Sequence, residues 1–206
     1  MNYLQTTEYA QFGLDADTTS DLVAAASAMI DGFCRRPGLA VQQYTERLRF
    51  SRGGTSVWLS YLPLAVVAPA TSAIVKIRAR LNLRRQSRFA GSWLQNEALA
   101  FALPGTWSDV DITSVDVSAT GELSIAPHLF GLVYDEAEIT YTSGWSTIPD
   151  AVKVACAQIV RNAQATPGLN VKGTKVDAMQ MEYFSGALVD DETKRLLKPF
   201  VAMRLG

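Results

Sequence analysis

The periodicity of the apolar residues changes twice along this 206-residue chain, and these changes limit the folds that it can adopt. Apolar residues recur at helical spacing between Leu22 and Phe33, whereas from about residue 40 onward they alternate with polar residues, as in half-buried strands. Helical spacing returns after Pro149. The pattern therefore predicts helices at both ends of the chain and a large β-rich part between them.

The two helical parts are expected to share one core. The helix that begins at Pro149 carries a continuous apolar stripe, which suits packing against the first helix. We therefore predict an α+β fold in which residues 1–39 and 146–206 form a discontinuous helical core with a C-terminal arm. Residues 40–145 would then form a large inserted β-rich portion.

The remaining segments have weaker patterns. Residues 1–16 show no clear period, so they predict an extended arm. Residues 44–50 and 57–62 alternate on either side of a glycine turn, which predicts a β-hairpin. Residues 169–189 are polar and contain glycines, which indicates a flexible linker ahead of a short C-terminal helix.

A further alternating segment places basic side chains on one face of a strand. The basic residues are Lys76, Arg78, Arg80 and Arg84, followed by Arg85 and Arg88. They could contact nucleic-acid phosphates, pair with acidic residues of another subunit or simply face solvent. The chain has 19 Lys and Arg against 20 Asp and Glu, and this near-neutral balance favours a subunit contact over a dedicated DNA-binding surface.

The sequence is poor in the residues that catalysis or metal binding requires. His128 is the single histidine, and neither Cys34 nor Cys156 has a second cysteine at zinc-finger spacing. Residues 144–146 begin like a nucleophile elbow but lack the second glycine. Residues 168–175 resemble a phosphate-binding loop with Lys and Thr in the wrong order, after a helix rather than a strand. We therefore predict no enzyme activity, no metal site and no cofactor.

Two other groups of residues have ordinary structural explanations. Three aromatic residues of an irregular stretch are expected to pack in a small core, although they could also anchor an interface. They are Trp93, Phe101 and Trp107. Two acidic groups suit helix N-termini, where negative charge is favourable. They are Asp15, Asp17 and Asp21, and Asp190, Asp191 and Glu192.

The sequence also bears on the compartment. No basic-then-apolar leader opens the chain, and no apolar run approaches the roughly 20 residues that a membrane-spanning helix needs. The two cysteines are expected to be buried free thiols, as is usual in a reducing compartment. We therefore expect a soluble product that does not contact a membrane.

Three segments, taken in their order along the chain, carry a family resemblance. They are Ile-Asp-Gly-Phe-Cys-Arg-Arg at residues 30–36, the strand, turn and helix of residues 141–163, and the tail at residues 183–200. Together they resemble the head–tail connector (adaptor) proteins of tailed bacteriophages. Residues 44–46 and 62–64 are also similar to the first strands of that family. Compact members are largely helical, so the large β-rich portion departs from the family pattern.

The resemblance implies a structural role in the virion, at the phage neck. In that family, copies assembled in the bacterial host cytoplasm form a ring, commonly of twelve, beneath the portal vertex. The ring continues the DNA channel and docks the next neck or tail component. The implied partners are the portal protein, other copies of the chain, that next component, and DNA passing without sequence specificity. The C-terminal segment commonly reaches into the portal, and the residues expected to anchor it are Tyr183, Phe184, Leu196, Leu197 and Phe200.

Three alternatives stay open at this point. Another neck protein, such as a stopper or a tail terminator, would share the structural role and differ in the neighbour that it touches. A DNA-binding module would use the basic strand and bind free duplex with a steep salt dependence. A small hydrolase is disfavoured by the single histidine and the missing motifs.

Overall fold

The computed structural model of the chain describes residues 2–51, 54–81, 105–127, 134–165, 173–176, 179–182 and 188–203. The chain divides into two compact units. The helical unit comprises Met1–Leu39 and Thr147–Ala202, and the β unit comprises Ala40–Ser146 with Met203–Gly206. The α+β class predicted from the sequence is confirmed. The two main boundaries follow Leu39 and Ser146, whereas the sequence placed them after residues 39 and 145.

The α-helices of the described ranges all lie in the helical unit. They are α1 (Ser20–Cys34), α2 (Asp150–Ala165) and α3 (Asp191–Leu197). Pro149 precedes α2, and its carbonyl accepts the N–H groups of Val152 and Lys153. Asp190 caps α3, because its Oδ1 accepts the Thr193 N–H at 2.7 Å. The helix starts thus lie within two residues of the capping signals in the sequence.

The expected packing of α1 against α2 is confirmed. The apolar stripe of each helix is buried, with Ile30 and Ile159 at most 1% exposed. Ser27 Oγ of α1 lies 3.8 Å from Cys156 Sγ of α2, so the two helices are in direct contact. Both cysteines are free and fully buried, as the sequence predicts.

The N-terminal segment is not an extended arm, so that prediction is wrong. It forms two short 3-10 turns, Thr6–Glu8 and Ala10–Phe12. Tyr3 is 2% exposed, and its hydroxyl donates to Asp31 of α1 and accepts the Leu39 N–H at 2.9 Å. The segment belongs to the helical core. Its apolar residues show no single period because short turns direct each of them inward separately.

The described residues of the β unit form two antiparallel sheets. The first has the order β1-β7-β3-β4, with β1 (Gln42–Arg49), β3 (Ile74–Arg80), β4 (Ser108–Asp109) and β7 (Glu136–Ser143). The second has the order β2-β6-β5, with β2 (Ser56–Trp58), β5 (Val115–Val117) and β6 (Glu122–Ile125). The hairpin predicted between β1 and β2 is wrong, because β1 pairs with β7 and β2 pairs with β6.

One hydrophobic cluster joins the two sheets. It contains Tyr44, Val57, Ile77, Leu123, Ile139 and Tyr141, which come from five different strands. The buried Tyr141 hydroxyl donates to Glu46 Oε2 at 2.9 Å and accepts the Tyr61 N–H at 3.1 Å. Because this polar group is satisfied, its burial does not carry the cost of an unpaired hydroxyl.

The two ends of the inserted β unit lie side by side. Ala40 and Trp145 form a parallel bridge, and Gln42 pairs with Ser143. Gly144 has φ +127°, and a Cβ built there would lie 2.4 Å from the Ala40 carbonyl oxygen. Glycine is therefore needed at this position, both for its backbone conformation and for the close approach of residue 40.

The predicted flexible linker at residues 169–189 contains regular structure where it is described. Gly173–Val176 (β8) and Met179–Glu182 (β9) pair as antiparallel strands. The prediction of an unstructured linker is therefore wrong for these residues. Among the described helices, none has the length and apolar character needed to cross a membrane.

Candidate functional site

The outer side of the first sheet of the β unit carries eight charged side chains of the described residues. Ile77 of β3 and Ile139 of β7 point into the core, so the side chains that alternate with them lie on the opposite side. We call this surface the charged face. It consists of Arg47, Arg49, Lys76, Arg78, Arg80, Asp109, Glu136 and Glu138.

The strand register orders the charged face in rows of alternating sign. In the first row, Glu136 of β7 lies between Arg49 of β1 and Arg80 of β3. A second row, two residues further along β7, reads Arg47, Glu138, Arg78 and Asp109. Opposite charges that face each other across neighbouring strands stabilise a sheet.

Glu136 is the centre of the first row and accepts hydrogen bonds from three arginines. Its Oε2 accepts from Arg47 Nη2 at 2.7 Å and from Arg80 Nε at 2.8 Å, and its Oε1 accepts from Arg49 Nε at 2.8 Å. Burial raises the pKa of this carboxyl, but the bonds from the three guanidiniums outweigh it and hold the pKa at about 2. The carboxylate is ionised and saturated at neutral pH, so it is not suited to act as a general base.

Trp107 packs over three arginines of the charged face. Its ring centroid lies 4.8 Å from Arg80 Cζ, 5.2 Å from Arg47 Cζ and 6.0 Å from Arg78 Cζ. These distances fit cation–π contacts, which are strongest where water is partly excluded. The predicted packing of Trp107 in a small core is therefore wrong, because its ring lies against guanidinium groups. Trp93 and Phe101 lie outside the described residues.

The charged face keeps an excess of positive charge at its rim. Its five cationic and three acidic side chains leave a net charge of +2. The side chains of Arg47, Arg49 and Lys76 are 52%, 69% and 55% exposed, whereas that of Arg80 is 16% exposed. The rim cations can therefore contact a partner, while the inner ones stabilise the sheet.

Known proteins do not identify a family for this chain. No family model and no curated protein matches it. Its site is therefore interpreted from the arrangement of its own residues.

The predicted basic strand requires a correction. Lys76, Arg78 and Arg80 do share one basic face of β3, as predicted, but the face of the sheet also carries acidic side chains from β4 and β7. Arg78 pairs with Glu138, Arg80 pairs with Glu136, and Lys76 Nζ lies 3.4 Å from Asp109. The acidic partners lie on neighbouring strands of the same chain. Arg84, Arg85 and Arg88 lie outside the described residues.

The predicted portal anchors are in different environments. Leu197 has no exposed surface and packs in the helical unit, so the prediction that it anchors a partner does not fit this structure. Leu196 and Phe200 are half-buried and keep part of their surface accessible. Tyr183 and Phe184 lie outside the described residues. The Ala202 N–H donates to the Cys34 carbonyl at 2.9 Å, so the residues after α3 are held against the end of α1.

The other chemical candidates do not assemble into a site. Within the ranges that the structure describes, no three His, Cys, Asp or Glu side chains are arranged to hold a metal. Burial raises the pKa of Cys34 and of Cys156 to about 11, so both thiols are protonated and unreactive at neutral pH. His128 lies outside the described residues, and residues 173–175 of the loop-like motif belong to β8.

Sequence reasoning missed five members of the charged face, which are Arg47, Arg49, Asp109, Glu136 and Glu138. The two arginines and the two glutamates each stand two residues apart in an alternating strand, so their common face was visible in the sequence. What the sequence did not show is that the two strands are neighbours, since residues 49 and 136 pair over a separation of 87 residues. No sequence signal placed Trp107 over them.

Proposed function

We propose that this chain is a head–tail connector (adaptor) subunit of a tailed bacteriophage. In this role, copies form a ring beneath the portal, continue the DNA channel and dock the next neck or tail component. The observation that carries the proposal is that residues from both ends of the chain form one helical unit, while a single β-rich insert separates them.

The contacts within the helical unit support this proposal. The segments that resemble the connector family are far apart in sequence, but the helices that carry parts of them pack together, since α1 contacts α2 and α3, and α2 contacts α3. Ser27 of α1 contacts Cys156 of α2, and Asn162 Nδ2 of α2 donates to the Leu188 carbonyl at 3.2 Å. The Cys34 carbonyl accepts the Ala202 N–H at 2.9 Å. Parts of all three segments therefore belong to the helical unit, while residues 141–146 of the second lie in the β unit.

The chemistry of the charged face also favours a binding role. Glu136, its one buried carboxylate, is saturated by arginines, and the exposed side chains are mostly cations suited to pairing. A dedicated DNA-binding surface is less well supported. Glu138 and Asp109 are 29% and 71% exposed between or beside the arginines, and their charge repels phosphates.

The structure changes which tail residues are suitable for a portal contact. We retain Leu196 and Phe200, which are partly accessible, together with Tyr183 and Phe184. Leu197 is excluded because it is fully buried. Deletion of residues 183–206 would remove Leu197 from the core, so substitutions on the surface provide a cleaner test.

Electron microscopy of the protein mixed with its portal tests the proposal. We expect a symmetric ring stacked on the portal. A ring that ignores the portal but binds a tail component would instead indicate a stopper or a tail terminator. A chain that remains monomeric and indifferent to the portal would contradict the proposed function.

The double substitution Leu196→Ser with Phe200→Ser tests the tail contact. We expect the variant to remain folded and to bind the portal at least about tenfold more weakly, because apolar anchors dominate such contacts. Val154→Ser is the matched control, since Val154 is a 40%-exposed apolar residue of α2. Co-sedimentation with portal rings measures binding, and circular dichroism checks the fold. Equal binding by the two variants would remove the tail from the proposed interface.

A further inference from the structure

We infer that the charged face is the contact surface for a second copy of this chain, which presents an acidic end of its helical unit to it. The inference rests on the ring proposed above and names the two surfaces that meet in it. It follows from the charge, exposure and spacing of the residues on each surface.

The acidic surface lies around the last turn of α2. Gln164 Nε2 donates to Thr18 Oγ1 at 3.2 Å, and Asn162 Nδ2 donates to Asp190 Oδ2 at 3.5 Å. The start of α1 and the start of α3 therefore lie together at the C-terminal end of α2. We call this region the acidic end. Its acidic residues are Asp15, Asp17, Asp21, Asp190, Asp191 and Glu192.

The acidic end carries an excess of negative charge. Among the described residues, Arg161, Lys194 and Arg195 are the basic ones on the same turns, so six acidic and three basic side chains leave a net charge of −3. The adjacent helix N-termini account for Asp21 and the α3 residues. They do not account for Asp15 and Asp17, which precede α1, are exposed and have no side-chain hydrogen bond within the described structure.

The two surfaces carry net charges of opposite sign. The charged face carries +2 and the acidic end −3, while the whole chain carries only −1. The near-neutral balance of the whole chain therefore conceals two surfaces of opposite net charge. Contacts of this kind set partner choice and association rate, since like-charged pairings are penalised.

The alternating rows of the charged face favour an acidic protein surface over a nucleic acid. A phosphate backbone presents a continuous line of negative charge, which would meet Glu138 and Asp109 as well as the arginines. Protein carboxylates are discrete, so they can contact Arg47, Arg49 and Lys76 at the rim without facing those two acids. This pattern identifies a folded acidic partner.

The contact joins two different surfaces of identical chains. When it is made once between each pair of chains, such a contact is heterologous, and its repetition generates a ring or an open filament. If a second copy of the chain binds to the charged face, the repeated addition of copies in the same way leads to the ring proposed above.

Charge-swapped variants test this inference. The face-reversed variant carries Arg47→Glu and Arg49→Glu, and the end-reversed variant carries Asp15→Lys, Asp17→Lys and Glu192→Lys. Each variant alone would bring together two surfaces whose net charges have the same sign, so the concentration needed for assembly should rise at least about tenfold. In an equimolar mixture each reversed surface meets its complement, and assembly should return. Sedimentation velocity and electron microscopy, with and without portal rings, measure assembly.

Folding controls keep the test decisive. Circular dichroism confirms that each variant is folded. If the face-reversed protein fails to fold because Glu136 loses two donors, Lys76→Glu with Arg49→Gln replaces it, since the Lys76–Asp109 pair is exposed and contributes little. Recovery of assembly on mixing cannot result from a purely structural defect.

Three outcomes would overturn the inference. One is assembly of either folded variant at the wild-type concentration, and another is failure of the folded mixture to recover. The third is loss of duplex-DNA affinity by the face-reversed variant while its assembly is unchanged, which would assign the face to nucleic acid. If these variants still form rings on the portal, the contact between the charged face and the acidic end is contradicted, but the proposed function is not. A wild-type chain that neither self-associates nor binds portal would contradict the proposed function as well.

Discussion

At the scale of single residues, Glu136 and Gly144 each meet demands that few other side chains could satisfy. Glu136 balances three guanidiniums from two neighbouring strands with one buried carboxylate. Gly144 lets the chain turn where a Cβ would lie 2.4 Å from the Ala40 carbonyl oxygen. One requirement is electrostatic and the other is steric, so they should respond differently to pH.

Replacement of Glu136 by Gln should lower the free energy of unfolding at pH 7 by about 1–3 kcal/mol, because three arginines lose their shared counter-charge. The pKa of Glu136 lies at about 2, below its ordinary value of 4.5. The carboxylate therefore stabilises the fold fully above about pH 5, and this stabilisation is lost as the pH falls towards 2. Glutamine does not titrate, so the difference between wild type and variant should shrink over that range.

Urea unfolding at a series of pH values between 2 and 7 measures this effect. Glu138→Gln is the control, because Glu138 is 29% exposed and pairs with a single arginine, so its loss should be smaller. A difference between wild type and Glu136→Gln that stays constant down to pH 2 would contradict the assigned role of the carboxylate.

Replacement of Gly144 by Ala should destabilise the protein by on the order of 3 kcal/mol, because φ is +127° and the new methyl group meets main-chain atoms that cannot swing aside. Gly32→Ala is a matched comparison. No atom lies within 4 Å of a Cβ built at Gly32 in α1, so alanine should stabilise the helix by about 0.5–1 kcal/mol. Thermal unfolding of both variants checks the opposite signs. Equal shifts would contradict the steric argument.

At the scale of elements, the sequence predicts the helices better than the strand pairing. A helix is encoded within its own segment, by apolar spacing and by end signals such as Pro149 and Asp190. A strand shows which side chains share a face but not which strand lies beside it. The predicted hairpin was wrong because β1 found its partner in β7, and half of the charged face was missed for the same reason.

The N-terminal segment shows where pattern reading fails altogether. Tyr3, Leu4, Tyr9 and Leu14 are at most 5% exposed, although their spacing fits neither a helix nor a strand. Short turns place each of them individually, so only the surrounding structure reveals that they are buried. The conformation of this segment is therefore determined by tertiary contacts and not by a local sequence pattern.

Deletion of residues 1–9 consequently distinguishes a packed segment from an arm. We expect the helical unit to lose its cooperative transition, because removing buried side chains such as Tyr3 costs about 3–5 kcal/mol each. Tyr3→Phe is the mild variant, and loss of its bonds to Asp31 and Leu39 should cost about 1–3 kcal/mol. Far-ultraviolet circular dichroism during heating provides the measurement. If the deletion leaves the thermal transition unchanged, the result would instead support the extended arm that the sequence predicts.

At the scale of the whole molecule, the division into two units predicts independent folding of the insert. The β unit has its own hydrophobic cluster, and its main body is one continuous stretch, Ala40–Ser146. A fragment of residues 40–146 should therefore fold cooperatively with a strand-rich circular dichroism spectrum. The fragment of residues 1–39 alone should not, because its buried face needs α2. A disordered 40–146 fragment would contradict this view.

The adjacent ends of the β unit have a mechanical consequence. The chain enters the β unit at Ala40 and leaves it beside this residue at Trp145. A pulling force on the two ends of the insert can therefore be carried by the bridge between these residues, without loading the sheets. If this bridge breaks, β1 and β7 would separate one residue pair at a time, starting from Gln42 and Ser143, instead of sliding past each other as a block. The bridge between Ala40 and Trp145 would thus bear a pulling force first, and the remaining pairs of β1 and β7 would be loaded only after it has opened.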